Sequence, residues 1–368
     1  MMKAKYYMPT KITIGRGCIK ENSALIEAWG QRALIVTGRS SSKRNGSLDD
    51  ICNVLGTQGI SYEIFERVES NPSIQTVKSA AEHAAESCAD FIIGIGGGSP
   101  MDVAKAVAIL ATNNIGEEEL LSSKFTKKPL PVIAVPTTAG SGSEVTPYSL
   151  ITNDAIQSKT AIVSEYIYPS VAFLDASYTE VLPRHITINT AFDALSHAVE
   201  GFLSVRSSDI SSFIALESMK ILGECLQFLR SGSIISFQIR ERLLYASMLA
   251  GIVIGQTGTT AVHAMGYSLT YFKNIDHGRA NALLICEYLK FIQTYFEDMV
   301  CYVILALGLK DIEELNSLID GLLNEKEKLS SEEIEKFATI AIKVKNTQFT
   351  LKKPNQNDLE EILRKSLT

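Results

Sequence analysis

The sequence predicts an α/β protein with an N-terminal parallel-sheet domain, residues 1–178, followed by an all-α domain, residues 179–368. Three observations predict it. The first half alternates short, continuously apolar runs with helical segments. Beyond Asp175 such runs become scarce and long helical stretches take over. At 368 residues the chain is also too long for one ordinary core, so two domains are the natural expectation.

In chain order, residues 33–37 form a first buried strand ending at Gly38, and residues 62–65 a second. Residues 73–87 carry helical apolar spacing. Residues 91–95 are a third strand, closed by Gly96, Gly97 and Gly98, and Ser99 is placed to cap a helix running through Asp102, Lys105 and Ile109. Residues 131–135 and 171–174 are further strands. Continuous apolar character implies strands covered on both faces, the mark of a parallel sheet between helices. The second half reads as helices over 188–204, 210–230, 239–256 and 282–296, with a charged helical surface cap over 330–368.

Composition narrows the function class. Hydrophobic residues at 46% and charged residues at 21% are ordinary for a soluble globular protein. A net charge of -6 counts against nucleic acid as the main partner. The opening MMKAKYYMPTKITIG has no apolar core of a signal peptide, and no apolar stretch reaches the ~18 residues a membrane span needs. Cys18, Cys52, Cys88, Cys225, Cys286 and Cys301 include no CxxC pair, and are expected to be buried free thiols in a reducing cytoplasm.

Two glycine-rich turns follow strands. Around Gly96–Gly98 and Ser99, glycines admit close approach of an anion and a helix start points its N–H groups at it. The turn is not G-x-G-x-x-G, because Ser99 stands at the last Gly position. A tight turn with no ligand is the alternative. At the other turn, Gly38 is followed by Arg39, Ser40, Ser41, Ser42, Lys43 and Arg44, with no carboxylate along the chain until Asp49. Dinucleotide folds place an acidic residue there for a ribose 2′-hydroxyl and basic residues for a 2′-phosphate, so the turn favours NADP(H) over NAD(H). A solvated basic loop would look the same.

The chain has five histidines. Asp193 and His197 stand four apart on an expected helix, so both reach one face, among the small residues Ala191, Ala194, Ser196 and Ala198. His263 lies in a helical stretch and His277 opens a new element after a loop. One carboxylate and three imidazoles suit Fe²⁺ or Zn²⁺, and the lack of a thiolate argues against a structural zinc site. His83 and His185 read as surface residues.

GGGSPMDVAK at 96–105, PTTAGSGSEVTP at 136–147, FDALSHAVEG at 192–201 and HAMGYSLTYFKNIDHGRANA at 263–282 together resemble the iron-containing (group III) alcohol dehydrogenases, of the butanol or 1,3-propanediol dehydrogenase type. The resemblance covers essentially the whole chain. It implies the dehydroquinate synthase-like architecture, a Rossmann-like domain and a helical domain with the active site in the cleft between them. Tyr6–Thr10 looks like the family's opening strand. The resemblance further implies metal ligation by Asp193, His197, His263 and His277. It implies cofactor contacts by Asn71, Gly97, Gly98, Ser99, Asp102, Thr137, Thr138, Ser141 and Lys159. NAD-preferring relatives carry an aspartate where this chain has Gly38, which agrees with the charge reading. Many relatives carry a second histidine, thought to relay protons, where this chain has Tyr267, a phenol of reference pKa about 10.

The expected activity is metal-dependent hydride transfer between NADP(H) and a small primary alcohol or diol and its aldehyde, in a cytoplasmic homodimer or larger homo-oligomer. A glycerol dehydrogenase or a dehydroquinate-synthase-like lyase would share the architecture. A silent nucleotide-binding protein would keep the glycine turn but need not keep four ligand-competent residues.

Overall fold

A computed structural model describes residues 5–367; the expectations drawn on residues 1–4 and on Thr368 lie outside the described residues. The chain divides into two compact units. One comprises residues 8–138 and 142–182, the other residues 5–7, 139–141 and 183–367.

The first unit holds a six-stranded, all-parallel sheet in the order β1-β8-β5-β4-β2-β3. Its strands are β1 (Lys11–Ile14), β2 (Arg32–Gly38), β3 (Ser61–Val68), β4 (Phe91–Gly96), β5 (Val132–Pro136) and β8 (Val171–Leu174). The central strands β4, β5 and β8 are buried at every position, so their apolar character is continuous rather than alternating. The order reverses beside β2, whose neighbours are β3 on one side and β4 on the other. In open α/β sheets ligands gather beyond the C-terminal strand ends at such a reversal. Here those ends carry the Gly38 and Gly96–Gly98 turns, joined by Thr37 Oγ1 donating to the Ile95 carbonyl at 2.9 Å.

An antiparallel hairpin, β6 (Tyr148–Asn153) and β7 (Ser158–Val163), is absent from the sequence reading. Its six-residue strands mix polar and apolar residues on both faces, which mutes the signal. Three further expectations are corrected. Residues 6–10 are not a strand; Pro9 has no N–H to give a ladder, and the Tyr7 backbone pairs instead with the Gln256 side chain. Ser99 does not cap its helix, because Gly98–Leu110 starts one residue earlier with Gly97 in the capping position. The cysteines are free, but Cys88 and Cys301 are exposed and Cys52 is half-buried.

The second unit is helical. Its long helices are Arg184–Phe202, Asp209–Arg230, Phe237–Thr257, Ala261–Lys273 and His277–Gln293. Pro183, Ser208 and Ser236 precede the first three; the two serines accept from backbone N–H groups three residues on. The C-terminal segment holds the two helices Ser331–Ala341 and Gln356–Leu367. No helix among the described residues is long and apolar enough to cross a membrane.

Lys105 anchors the first unit. Its fully buried ammonium donates to the carbonyls of Ser143, Thr146 and Tyr148 at 2.6, 3.0 and 2.8 Å and meets the Ser143 hydroxyl at 2.8 Å. Burial pushes its pKa down to about 8, against the pull of Asp102 and Glu144. Lys105→Met strands those carbonyls and two buried carboxylates, and is expected to cost about 3–5 kcal/mol in urea unfolding. A loss below ~1 kcal/mol would contradict this anchor.

Candidate metal centre

Three helices of the second unit bring four side chains together. Asp193 and His197 project one turn apart from Arg184–Phe202, His263 from Ala261–Lys273, and His277 from the first position of His277–Gln293. The helices meet closely because glycine stands where they touch. A Cβ on Gly278 would lie 1.8 Å from the Asn189 carbonyl oxygen and 2.9 Å from the Asp193 Cβ. A Cβ on Gly266 would lie 2.3 Å from Asn281 Oδ1. Asn189 Nδ2 donates to Asp276 Oδ2 at 2.7 Å and ties the start of the third helix to the first. The small residues around Asp193, Ala191, Ala194, Ser196 and Ala198, are fully buried.

The rings converge on one atom. The Nε2 atoms of His197, His263 and His277 stand 3.9, 3.7 and 3.9 Å from Asp193 Oδ1. These gaps are too long for hydrogen bonds. Ligands at ~2.1 Å around one tetrahedral ion stand about 3.4 Å apart, within half an ångström of what is seen. The ligand atoms of Asp193, His263 and His277 all lie within 4.8 Å of one another. His197 falls outside that group, although its ring stacks on His263 at 4.6 Å and 19°. It has to swing toward the others to complete a set of four.

Each ring is held by its other nitrogen. His197 Nδ1 meets the Gly140 carbonyl at 3.2 Å, His277 Nδ1 meets Thr270 Oγ1 at 3.4 Å, and His263 Nδ1 bonds Glu200 Oε2. A proton on Nδ1 leaves an Nε2 lone pair facing Asp193. The donor set therefore fits a divalent ion of the Fe²⁺ or Zn²⁺ kind.

Electrostatics agree. Burial opposes charge on Asp193, but His197, His263 and His277 outweigh it and hold the carboxyl well below its usual range. Burial pushes His197 down, toward the neutral ring a metal needs. Burial also opposes a charged His263, yet Glu200 and Asp193 push it up to about 9.

Sequence reasoning passed over two residues. Glu200 shares the helix face of Asp193 and His197 at the i+7 position, and Asn281 stands four residues after His277; both spacings were readable. Asn281 Nδ2 lies 3.2 Å from Asp193 Oδ1 and 3.2 Å from His263 Nε2, while its buried Oδ1 has no hydrogen-bond partner among the described residues. Tyr267 is buried and stacks on His277 at 5.5 Å and 13°.

The expected nucleotide residues lie mostly at strand ends of the first unit. Gly97 and Thr138 adjoin, since a Cβ on Gly97 would stand 3.2 Å from Thr138 Oγ1. The Thr137 N–H donates to the Gly96 carbonyl at 2.8 Å. No side chain caps the helix that begins with Gly98 and Ser99, so its first N–H groups have no capping side chain. Asn71 adopts a left-handed φ of 54° and its carbonyl accepts from Thr152 at 2.8 Å. Lys159 is half-buried on β7. Asp102 is buried and accepts from Ser143 Oγ at 2.7 Å. Ser141 belongs to the helical unit. Around Gly38, Arg39, Ser40 and Lys43 are exposed and Ser41 is half-buried. Here the sequence reading is corrected: a carboxylate does reach the turn, because β3 brings Glu66 into an ion pair with Lys43. Strand pairing, not chain order, supplies it.

Comparison with known proteins decides the family. The iron-containing alcohol dehydrogenase model matches residues 9–176, and the C-terminal model of the Fe-containing alcohol dehydrogenase family matches residues 187–367. The chain belongs to the iron-containing alcohol dehydrogenase family. It is 31% identical over 291 residues to the NADPH-dependent butanol dehydrogenase of Clostridium saccharobutylicum, covering 78% of this chain and 74% of that protein. It is 35% identical over 297 residues to the bifunctional aldehyde-alcohol dehydrogenase of Escherichia coli (strain K12), covering 77% of this chain. The match takes in only 33% of that longer relative. The crystal structure of an iron-containing alcohol dehydrogenase from Thermotoga maritima superposes with a TM-score of 0.92 at 40% identity, covering 99% of each chain.

Two outcomes are expected of this iron-type centre. Gly278→Ala pushes against backbone that cannot yield, so metal content falls while the helical circular dichroism signal persists; full metal content contradicts the packing account. Metal uptake must displace the proton that His263 keeps up to about 9. Apparent affinity should therefore rise with pH up to about 9, by about tenfold per unit for one proton, with about one proton released per ion at pH 7.5 in unbuffered titration. A pH-independent affinity contradicts it.

Proposed function

We propose that the chain interconverts a small primary alcohol or diol and its aldehyde, with NADP(H) and a divalent ion, Fe²⁺ or alternatively Zn²⁺. The observation that carries the reading is the convergence of three Nε2 atoms on one buried carboxylate oxygen. Asp193, His197, His263 and His277 are the residues that hold the ion. A divalent ion there lowers the pKa of an alcohol hydroxyl and polarises an aldehyde carbonyl. NADP(H) supplies the hydride chemistry.

The chain's own residues do the rest. The Gly97–Gly98–Ser99 turn and the uncapped helix start receive the pyrophosphate, and Thr137, Thr138, Asn71 and Lys159 line the cofactor. Ser141 and Asp102 complete the set, Asp102 by fixing Ser143. Tyr267 covers the face of the His277 ring and keeps it aligned. It stands where the family resemblance places a second histidine in many relatives, and its phenol can still pass a hydrogen bond there.

Preference for NADP(H) rests on the Gly38 turn. Arg39 and Arg44 have no carboxylate partner among the described residues, and Ser40 and Ser41 add hydroxyl donors. The Lys43–Glu66 pair is exposed, worth at most about 1 kcal/mol, and opens readily toward a phosphate. The Clostridium relative, named as NADPH-dependent, supports the same side.

Assay of small aldehydes is expected to give kcat/KM at least about tenfold higher with NADPH than with NADH, the worth of one charge-assisted contact. The Arg39→Ala/Arg44→Ala double variant should erase most of that ratio while leaving NADH turnover intact; a ratio near one in the native chain contradicts the cofactor reading. His277→Ala is expected to abolish turnover while NADPH still binds by fluorescence titration. Undiminished turnover in that variant would sink the metal mechanism.

A further inference from the structure

Glu200 is fully buried on the Arg184–Phe202 helix, and its hydrogen bonds go to Thr260 and His263, at the start of the Ala261–Lys273 helix. Its Oε1 accepts from the Thr260 N–H at 2.8 Å, the Thr260 hydroxyl at 2.7 Å and the His263 N–H at 3.2 Å. Its Oε2 bonds His263 Nδ1. One oxygen thus caps the start of the Ala261–Lys273 helix and the other holds a ring. The outer partners of the remaining two rings, the Gly140 carbonyl and Thr270 hydroxyl, are neutral. The outer partner of His263 is an anion.

We propose that Glu200 is a positioning residue that fixes the tautomer of His263 and balances the charge of the ion site. This role rests on the metal-binding reading and extends it. A carboxylate can only accept, so Nδ1 must carry the proton and Nε2 the lone pair. The charges also close: Asp193 and Glu200 supply two negatives, the three rings are neutral, and a divalent ion makes the buried cluster neutral. Without Glu200 the loaded site holds a net positive charge away from water, which is costly.

The geometry makes Glu200→Gln a sharp probe. Two backbone N–H groups point at the Oε1 position, and backbone donors cannot turn into acceptors. They pin the amide oxygen of a glutamine there. The NH₂ group then faces His263 Nδ1 and donates to it. Nδ1 becomes the acceptor, the proton moves to Nε2, and the lone pair toward the ion is lost. The helix cap survives, so the fold is left standing while the ligand is switched off.

The test titrates Co²⁺ into metal-stripped wild type and Glu200→Gln, in competition with a chromophoric chelator, and follows thermal melting of both stripped proteins. The expected result is a ~10–100-fold weaker Co²⁺ affinity in the variant, the usual worth of an outer partner, with NADPH binding unchanged and the stripped variant still melting cooperatively, at a somewhat lower temperature because the buried pair with His263 is lost. Equal Co²⁺ affinity in the two proteins overturns the proposal. So does a variant that melts early yet binds Co²⁺ normally, which would make Glu200 a helix cap only. Failure of wild type to bind Co²⁺ would instead sink the metal reading beneath it. Should the variant not fold, histidine-selective NMR of Zn²⁺-loaded wild type decides: a slowly exchanging, strongly downfield Nδ1 proton, assigned by its loss in His263→Ala, is expected. A rapidly exchanging Nδ1 proton on His263 contradicts the role.

Discussion

Each histidine that faces Asp193 is held by its second ring nitrogen, and the rest of the site depends on that constraint. An imidazole free to rotate presents either nitrogen, protonated or not, at many angles. With Nδ1 engaged, the ring is turned so that its Nε2 faces inward, and three such Nε2 atoms converge on one carboxylate oxygen. The outer partners come from three places in the helical unit: a strip at Gly140, a neighbouring helix at Glu200, and the Ala261–Lys273 helix at Thr270. The site is therefore a property of how the helices pack, more than of any one of them.

That packing explains the glycines. Gly278 and Gly266 stand where backbone or side chain of another helix comes nearer than any Cβ allows. The first unit solves a separate problem with different means. Its buried Lys105 fixes the segment after β5, and the parallel strand ends place the Gly38 and Gly96–Gly98 turns side by side.

Much of this is legible in sequence, and what is not has physical causes. Strands β2, β4, β5 and β8 are readable because burial on both faces makes them continuously apolar. The β6–β7 hairpin is hidden by its polar residues, and the opening segment is misread because a proline-broken run can look extended without pairing. Asp193 and His197 are readable by their i, i+4 spacing. His263 and His277 are far away in sequence, and only the long shared motifs join them to the same site. Glu200 was within reach of the same face argument and was missed because a lone glutamate in a helix looks like a solvated one. Glu66 was out of reach, since strand order alone sets it beside Lys43.

The most direct measurement is anomalous diffraction at the absorption edge of the bound metal, on crystals of the full chain loaded with stoichiometric Fe²⁺ or Zn²⁺. The account predicts one strong peak about 2.0–2.3 Å from Asp193 Oδ1 and from the Nε2 atoms of His197, His263 and His277, with His197 drawn in to join the others. A peak elsewhere on the chain, or one lacking two or more of these ligands, would contradict it.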